Sequence, residues 1–206
     1  MKFEIRDLRR AFTLIEMMVV IAIIGIIIGV TIGIYGHVTR KAQQARGREL
    51  VSNVATALNV LFQRENRWPP VILTEAQGQG RLTPEVAKCL GEKGLMSVNA
   101  KGLDRCGIVT PWATDVLKRL NKGDSGYDAH VPGGGTVRDH QLHFAVDTEG
   151  NGFVDVRLGS KSVRVRATAA VWSWGLNGRE DDYEKSMAGR EKSDDIYSWT
   201  RAQEVR

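Results

Sequence analysis

Arg10-Ala11-Phe12-Thr13-Leu14-Ile15-Glu16-Met17-Met18-Val19-Val20-Ile21-Ala22-Ile23-Ile24-Gly25, continuing as IIIGVTIGIYG to Gly36, is the stretch on which the architecture turns. From Met17 to Gly36 no residue carries a formal charge. As a helix rising about 1.5 Å per residue, such a run reaches roughly 30 Å, the hydrocarbon thickness of a bilayer. Ahead of it Lys2, Arg6, Arg9 and Arg10 outnumber Glu4 and Asp7. By the positive-inside tendency this basic segment stays cytoplasmic and the remainder is sent outward. A secretory signal peptide fits poorly, because the apolar run is long and no small-x-small site closes it. The chain beyond, VTRKAQQARGRELVSNVATALNVLFQRE, continues as helix. A plain anchor accounts for everything except Glu16. A charged carboxylate costs about 2.5–3.5 kcal/mol near a bilayer centre and less at the interface. It is useful only to an anchor that must find a partner cation, and an α-amino group freed by cleavage just upstream would be the nearest one.

The same residues resemble the prepilin motif of type IV pilins and type II secretion pseudopilins. That motif has a small residue before the cut, Phe after it and Glu at the fifth mature position, met here by Ala11, Phe12 and Glu16. Ala11 departs from the usual Gly. The resemblance implies that a prepilin peptidase removes residues 1–11 as a cytoplasmic leader and that Phe12 is then N-methylated. It also implies that Glu16 pairs with the Phe12 amine of a neighbouring copy and so sets the register of a filament. The chain would then be a single-pass protein of the bacterial inner membrane with its C-terminal domain in the periplasm. Its partners would be further copies, related pseudopilins and an inner-membrane assembly platform. Gly25, Gly29 and Gly33 fall on one helical face, with Gly36 close by. They read as close packing between membrane helices or as points where the helix loosens on leaving lipid.

Residues 12–36 are thus the membrane and filament-core helix, and 37–66 its amphipathic continuation. There Val51, Val54, Leu58, Leu61 and Phe62 repeat at three and four, among Arg46, Arg48, Glu49, Asn53 and Gln63. Trp68-Pro69-Pro70 is expected to stop the helix. Residues 67–206 form the exported domain. Thr83-Pro84-Glu85 reads as a helix start and Gly91 as its close, with a second short helix in 110–122 and a Gly-rich loop over 124–135. Three strands follow, at 141–146, 152–158 and 162–174. The expected fold is α+β and pilin-like, a long N-terminal helix packed on a small antiparallel sheet.

With 206 residues and 42% apolar content the chain suffices for one globular domain and an anchor. Its net charge of +5 lies partly in the leader, so no nucleic-acid partner is expected. Cys89 and Cys106 are the two cysteines. In an exported domain they could close one disulfide, worth roughly 3 kcal/mol, and the spacing leaves thiol and disulfide open.

Asp147 to Asp155 places oxygen donors at the first, third, fifth and ninth positions and Gly at the sixth, like an EF-hand loop. Its twelfth position is Leu158, and a hairpin turn explains the same residues. His140 and His143 stand alone, so zinc is not expected. The tract from Trp172-Ser173-Trp174-Gly175 through Asn177, Asp181 and Asp182 to Asp194-Asp195-Ile196-Tyr197-Ser198-Trp199 loosely resembles the calcium loop of major type II secretion pseudopilins. The match implies Asn177, Asp194 and Asp195 as side-chain ligands of calcium, with backbone carbonyls completing six to eight oxygens. Lys185, Arg190 and Lys192 weaken the field there, and a solvated acidic loop pinned by Trp199 is the alternative. No nucleophile elbow, phosphate loop or HExxH spacing is present, so no enzyme is indicated. The resemblance implies a structural subunit of a type II secretion pseudopilus. A type IV pilus subunit serving adhesion, motility or DNA uptake is the alternative, and a membrane-tethered periplasmic enzyme or binding module is a third reading.

Overall fold

The computed structural model describes residues 13–76, 80–96, 106–119, 126–181, 183 and 194–205, the side chains of 30–34 excepted. The chain divides into two compact units, Met1–Ala42 and Gln43–Arg206. A 52-residue helix, α1 (Leu14–Glu65), contributes to both.

In the first unit the described apolar side chains from Leu14 to Ile28 stand exposed, Leu14 at 78% and Ile26 at 68%. Among the described residues no helix is long and apolar enough to cross a membrane. Positions 30–34 of the uncharged run 17–36 lack described side chains.

In the second unit α1 is one-sided. Val51, Val54, Leu58 and Leu61 are buried while Arg46, Arg48, Glu49, Asn53 and Gln63 are exposed. Phe62 is half-buried and its ring lies 4.9 Å from that of Trp68. The helix ends just before the expected Trp-Pro-Pro stop. Asn66 turns left-handed at φ 50° and donates its N–H to the Phe62 carbonyl at 2.7 Å. Asn tolerates that conformation better than most residues. Pro70 then begins a helix that the sequence reading did not anticipate, α2 (Pro70–Ala76), as its ring fixes φ at a first-turn value.

α3 (Pro84–Glu92) starts where expected, although the Thr83 side chain makes no capping bond. It runs through Gly91 instead of closing there, and the left-handed glycine is Gly94. α4 (Pro111–Leu117) accounts for the helix read in 110–122, burying Trp112 and Ala113.

The strands form two antiparallel sheets where one was anticipated. In the first, β1 (Gly80–Arg81), β2 (His143–Val146), β5 (Ala169–Ser173) and β6 (Ile196–Tyr197) lie in the order β1-β2-β5-β6. In the second, β3 (Phe153–Leu158), β4 (Lys161–Arg166) and β7 (Glu204–Val205) lie in the order β3-β4-β7. The segment read as one strand over 162–174 breaks at Ala167-Thr168, its halves joining different sheets. β4 alternates between wet and sheltered positions, whereas every residue of β5 is buried. A strand wet on one face cannot run straight into one dry on both. The α+β class holds.

β5 is the wall between two cores. Val171 joins the cluster containing the α1 stripe, Ile72, Leu90, Trp112, Phe144 and Ile196. Ala170 and Trp172 join the other, with Val154, Val156, Val165, Tyr183 and Trp199. The period-two alternation of a strand places neighbours on opposite faces.

Candidate functional site

Two places carry the residues singled out in the sequence. The first is the start of α1. Ala11 and Phe12, the residues flanking the expected cut, lie outside the described residues. Glu16 is described, and its carboxylate accepts from the Thr13 N–H and the Thr13 hydroxyl, both at 2.9 Å. The Glu16 N–H in turn donates to Thr13 Oγ1 at 3.3 Å. This reciprocal arrangement is a capping box, which satisfies two otherwise orphaned donors of the first turn. Its carboxylate also lies near the positive end of the helix dipole.

The second place follows β5. Gly175 turns the chain at φ +59°, and a Cβ there would overlap the Asp194 carboxylate and carbonyl. Glycine is therefore needed both for its conformation and for the close approach. The Asp194 Oδ2 accepts from the N–H groups of Leu176 and Asn177. Asp195 Oδ2 accepts from the Asp181 N–H at 2.9 Å and from the Tyr197 hydroxyl at 3.2 Å.

Asp194 and Asp195 each keep a second oxygen, Oδ1, that is buried and without a hydrogen-bond partner. Burial pushes the Asp194 carboxyl above its ordinary range, opposed first by the Leu176 N–H. Burial likewise pushes Asp195 up to about 7. Asp181, Asp194 and Asp195 each offer an oxygen within 4.8 Å of the others.

Of the predicted ligands, Asp194 and Asp195 come together, and Asn177 lies beside them. The Asn177 Oδ1 accepts from the Arg179 N–H at 2.7 Å, and its Nδ2 donates toward Asp181 Oδ1 at 3.4 Å. Asp181, named in the sequence as part of the acidic tract but not as a ligand, is drawn into the group. Its carboxylate separation from Asp194 along the chain hid that proximity. Asp182, Lys185, Arg190 and Lys192 lie outside the described residues. Three carboxylates, two of them with a buried orphaned oxygen, are a donor set for a hard cation, because a divalent ion supplies the charge and the partners that those oxygens lack.

The EF-hand-like segment is a turn. Asp147 accepts through Oδ1 from the N–H groups of Glu149, Gly150 and Asn151, and through Oδ2 from Gly152. Its oxygens are spent on the backbone between β2 and β3. His140 is buried between the Thr110 hydroxyl and the Gly134 carbonyl, at 3.2 and 2.9 Å. His143 is buried against Trp172 and Trp174. Cys89 is half-buried and Cys106 is buried.

Residues 6–32 match the family model described as the prokaryotic N-terminal methylation motif. No solved structure matches the chain.

Proposed function

We propose that this chain, pilin-like by its N-terminal methylation motif, is a structural subunit of a type II secretion pseudopilus. The observation that carries the reading is the motif at 6–32, within which Ala11, Phe12 and Glu16 occupy the positions that such processing needs. On this reading a prepilin peptidase cuts between Ala11 and Phe12, Phe12 is N-methylated, and the helix beginning there anchors the chain in the bacterial inner membrane, its domain in the periplasm. Copies, together with related subunits on an inner-membrane assembly platform, polymerise through that helix, and extension of the filament drives protein export. The role is structural and non-enzymatic.

The physical support is the apolar surface of α1. Side chains from Leu14 to Ile28 are exposed in the single chain, and an apolar surface of that extent needs lipid or neighbouring helices around it. Glu16 is held in the single chain by Thr13. In a filament the new amine of a neighbour's Phe12 would replace that neutral partner with a cation. The bonds to Thr13 are charge-assisted only through the carboxylate, whereas the ammonium adds an attraction between two opposite charges that Thr13 cannot supply, so the exchange favours assembly at one axial register.

The acidic tract favours a pseudopilus over a long pilus, and Cys89 and Cys106 lie too early in the chain to bound a C-terminal disulfide loop. For that tract we propose calcium, held by Asp194 and Asp195 with Asn177 nearby and backbone carbonyls completing the shell. The orphaned Oδ1 atoms of Asp194 and Asp195 fit such an ion. Bound there, calcium would neutralise the clustered carboxylates and tie the turn after β5 to the start of β6.

Deletion of the gene with export and surface fibres scored side by side tests the assignment. Loss of export with fibres intact supports the pseudopilus. Loss of adhesion, motility or DNA uptake with export intact favours the type IV pilus. A chain that never cross-links into ladders through residues 14–28 would be a tethered enzyme or binding module instead.

A further inference from the structure

We propose that β3 is a pairing edge for a second copy of this chain, the two β3 strands running antiparallel about a two-fold axis at Val156, so that Asp155 of each copy faces Arg157 of the other. The pairing stands on the domain's own sheet and does not rest on the pseudopilus or calcium readings. An unpaired sheet edge is a template for another strand unless it is blunted. Among the described strands, β1, β6, β3 and β7 are terminal in their sheets. Three of them are two residues long, too short to template anything. β3 has six residues, none of them Pro, and matches β4 residue for residue without a bulge. Val154, Val156 and Leu158 face the second core, while Asp155 and Arg157 are exposed. Phe153, Asp155 and Arg157 line a cleft of about 600 Å³ with Ala145 and Val146 of β2, which leaves space beside the strand.

Charges on an edge usually repel a second strand, but Asp155 and Arg157 are opposite in sign. Strand side chains alternate between faces, so a second β3 fits only where outward residues oppose outward residues. In those registers the backbone groups that point away from β4 on alternate residues also meet their counterparts. Slipping the pair one way sets Asp155 against Asp155, and the other way sets Arg157 against Arg157. Like charges directly opposite are unfavourable. The register centred on Val156 sets Asp155 against Arg157 twice, Val156 against itself and Val154 against Leu158 twice.

The charges then form a row across four strands. Asp155 already takes a two-pronged bond from Arg164 of β4, Nε to Oδ1 and Nη2 to Oδ2, both at 2.8 Å. In the pair each Asp155 lies between Arg164 of its own copy and Arg157 of the other. Arg157 makes no ion pair among the described residues and gains one there. Such a contact uses the same patch on both copies and closes at two. A filament repeats a head-to-tail step, so the pair holds copies outside a filament and gives it no direction of growth.

The test mixes the full chain in detergent micelles with an isotope-heavy preparation of itself. Arg157→Lys keeps the charge and supplies an ammonium, which a carbodiimide joins to a carboxylate only where the two touch. Mass spectrometry of the digest is expected to show Asp155 of one isotope joined to position 157 of the other. Amide exchange at 153–158 slows as the wild-type chain is concentrated. Arg157→Asp sets acid against acid at both crossings and needs about ten-fold more protein for the same protection. Asp155→Lys behaves likewise alone, and an equal mixture of the two variants restores the protection and joins position 155 of one to position 157 of the other. Links confined to one isotope in Arg157→Lys, or wild-type exchange independent of concentration, overturn the pairing. Links from 155 to 155 in the mixture overturn the register, and wild-type protection in Arg157→Asp overturns the charge argument. The Arg157→Lys result decides the pairing even where Asp155→Lys does not fold.

Discussion

His143 sets an acid limit on the fold that can be worked out from its surroundings. It sits on β2 opposite Trp172 of β5 and Arg81 of β1. Its ring stacks on Trp172 with centroids 5.5 Å apart and lies 5.0 Å from Trp174, and its Nε2 is buried without a partner. Burial first, and then the Arg81 cation, lower its pKa from 6.5 to about 4. A folded pKa below the unfolded one means stability that is fully present above pH 6.5 and lost as pH falls through the folded value. With those two values the loss is about 2 kcal/mol by pH 5 and about 3 kcal/mol by pH 4. Carboxylates titrate over part of the same range, so the comparison is with His143→Phe, which keeps an aromatic ring and has no proton to take. Urea unfolding of both mature chains in detergent, followed by tryptophan fluorescence from pH 7.5 to pH 4, gives two stability curves. They diverge by about 3 kcal/mol in favour of Phe on the acid side. Parallel curves would refute the claim that a neutral histidine is buried here.

Three further outcomes follow from the packing and from the start of α1. Gly47 is buried on α1, where a Cβ would come 2.8 Å from Ile196 Cδ1 and 3.5 Å from Trp112 Cη2. Gly47→Val overpacks that contact, lowering stability by about 2 kcal/mol and the melting temperature by roughly 4–8 °C in a thermal scan. Gly175→Ala meets both a left-handed backbone and the Asp194 carboxylate. On the proposed calcium reading, the ion at a hundred-fold excess over its dissociation constant is expected to stabilise the wild type by about 2.7 kcal/mol, and this variant is expected to lose that melting shift. Glu16→Ala removes the capping box and the assembly charge together, so the precursor is still cleaved but cross-linked ladders disappear.

The amphipathic half of α1 was legible because Val51, Val54, Leu58 and Leu61 repeat at helical spacing, and burial follows them. The two-sheet arrangement was not. Its division turns on Ala167-Thr168, where an apolar-alternating segment passes into a wholly buried one without a Gly or Pro to mark the change. β1, β6 and β7 are two residues long, too short for any period to register. α2 hid behind a Pro-Pro pair, which reads as a stop and serves equally well as a start. At the acidic site, Asp194 and Asp195 were visible as an adjacent pair. Asp181 was visible only as part of a tract, since its approach depends on bonds made across 13 and 14 residues. The Asp147 segment shows the converse, in which ligand-like spacing serves backbone amides.

The central claim is that the chain is clipped between Ala11 and Phe12 and assembles through Glu16. Intact-protein mass spectrometry of the chain recovered from the sheared filament fraction, wild type beside Glu16→Ala, tests it most directly. The account predicts a wild-type chain beginning at N-methylated Phe12, and no Glu16→Ala chain in that fraction although the membrane fraction holds it processed. A filament chain still carrying residues 1–11, or Glu16→Ala filaments in normal yield, would contradict it.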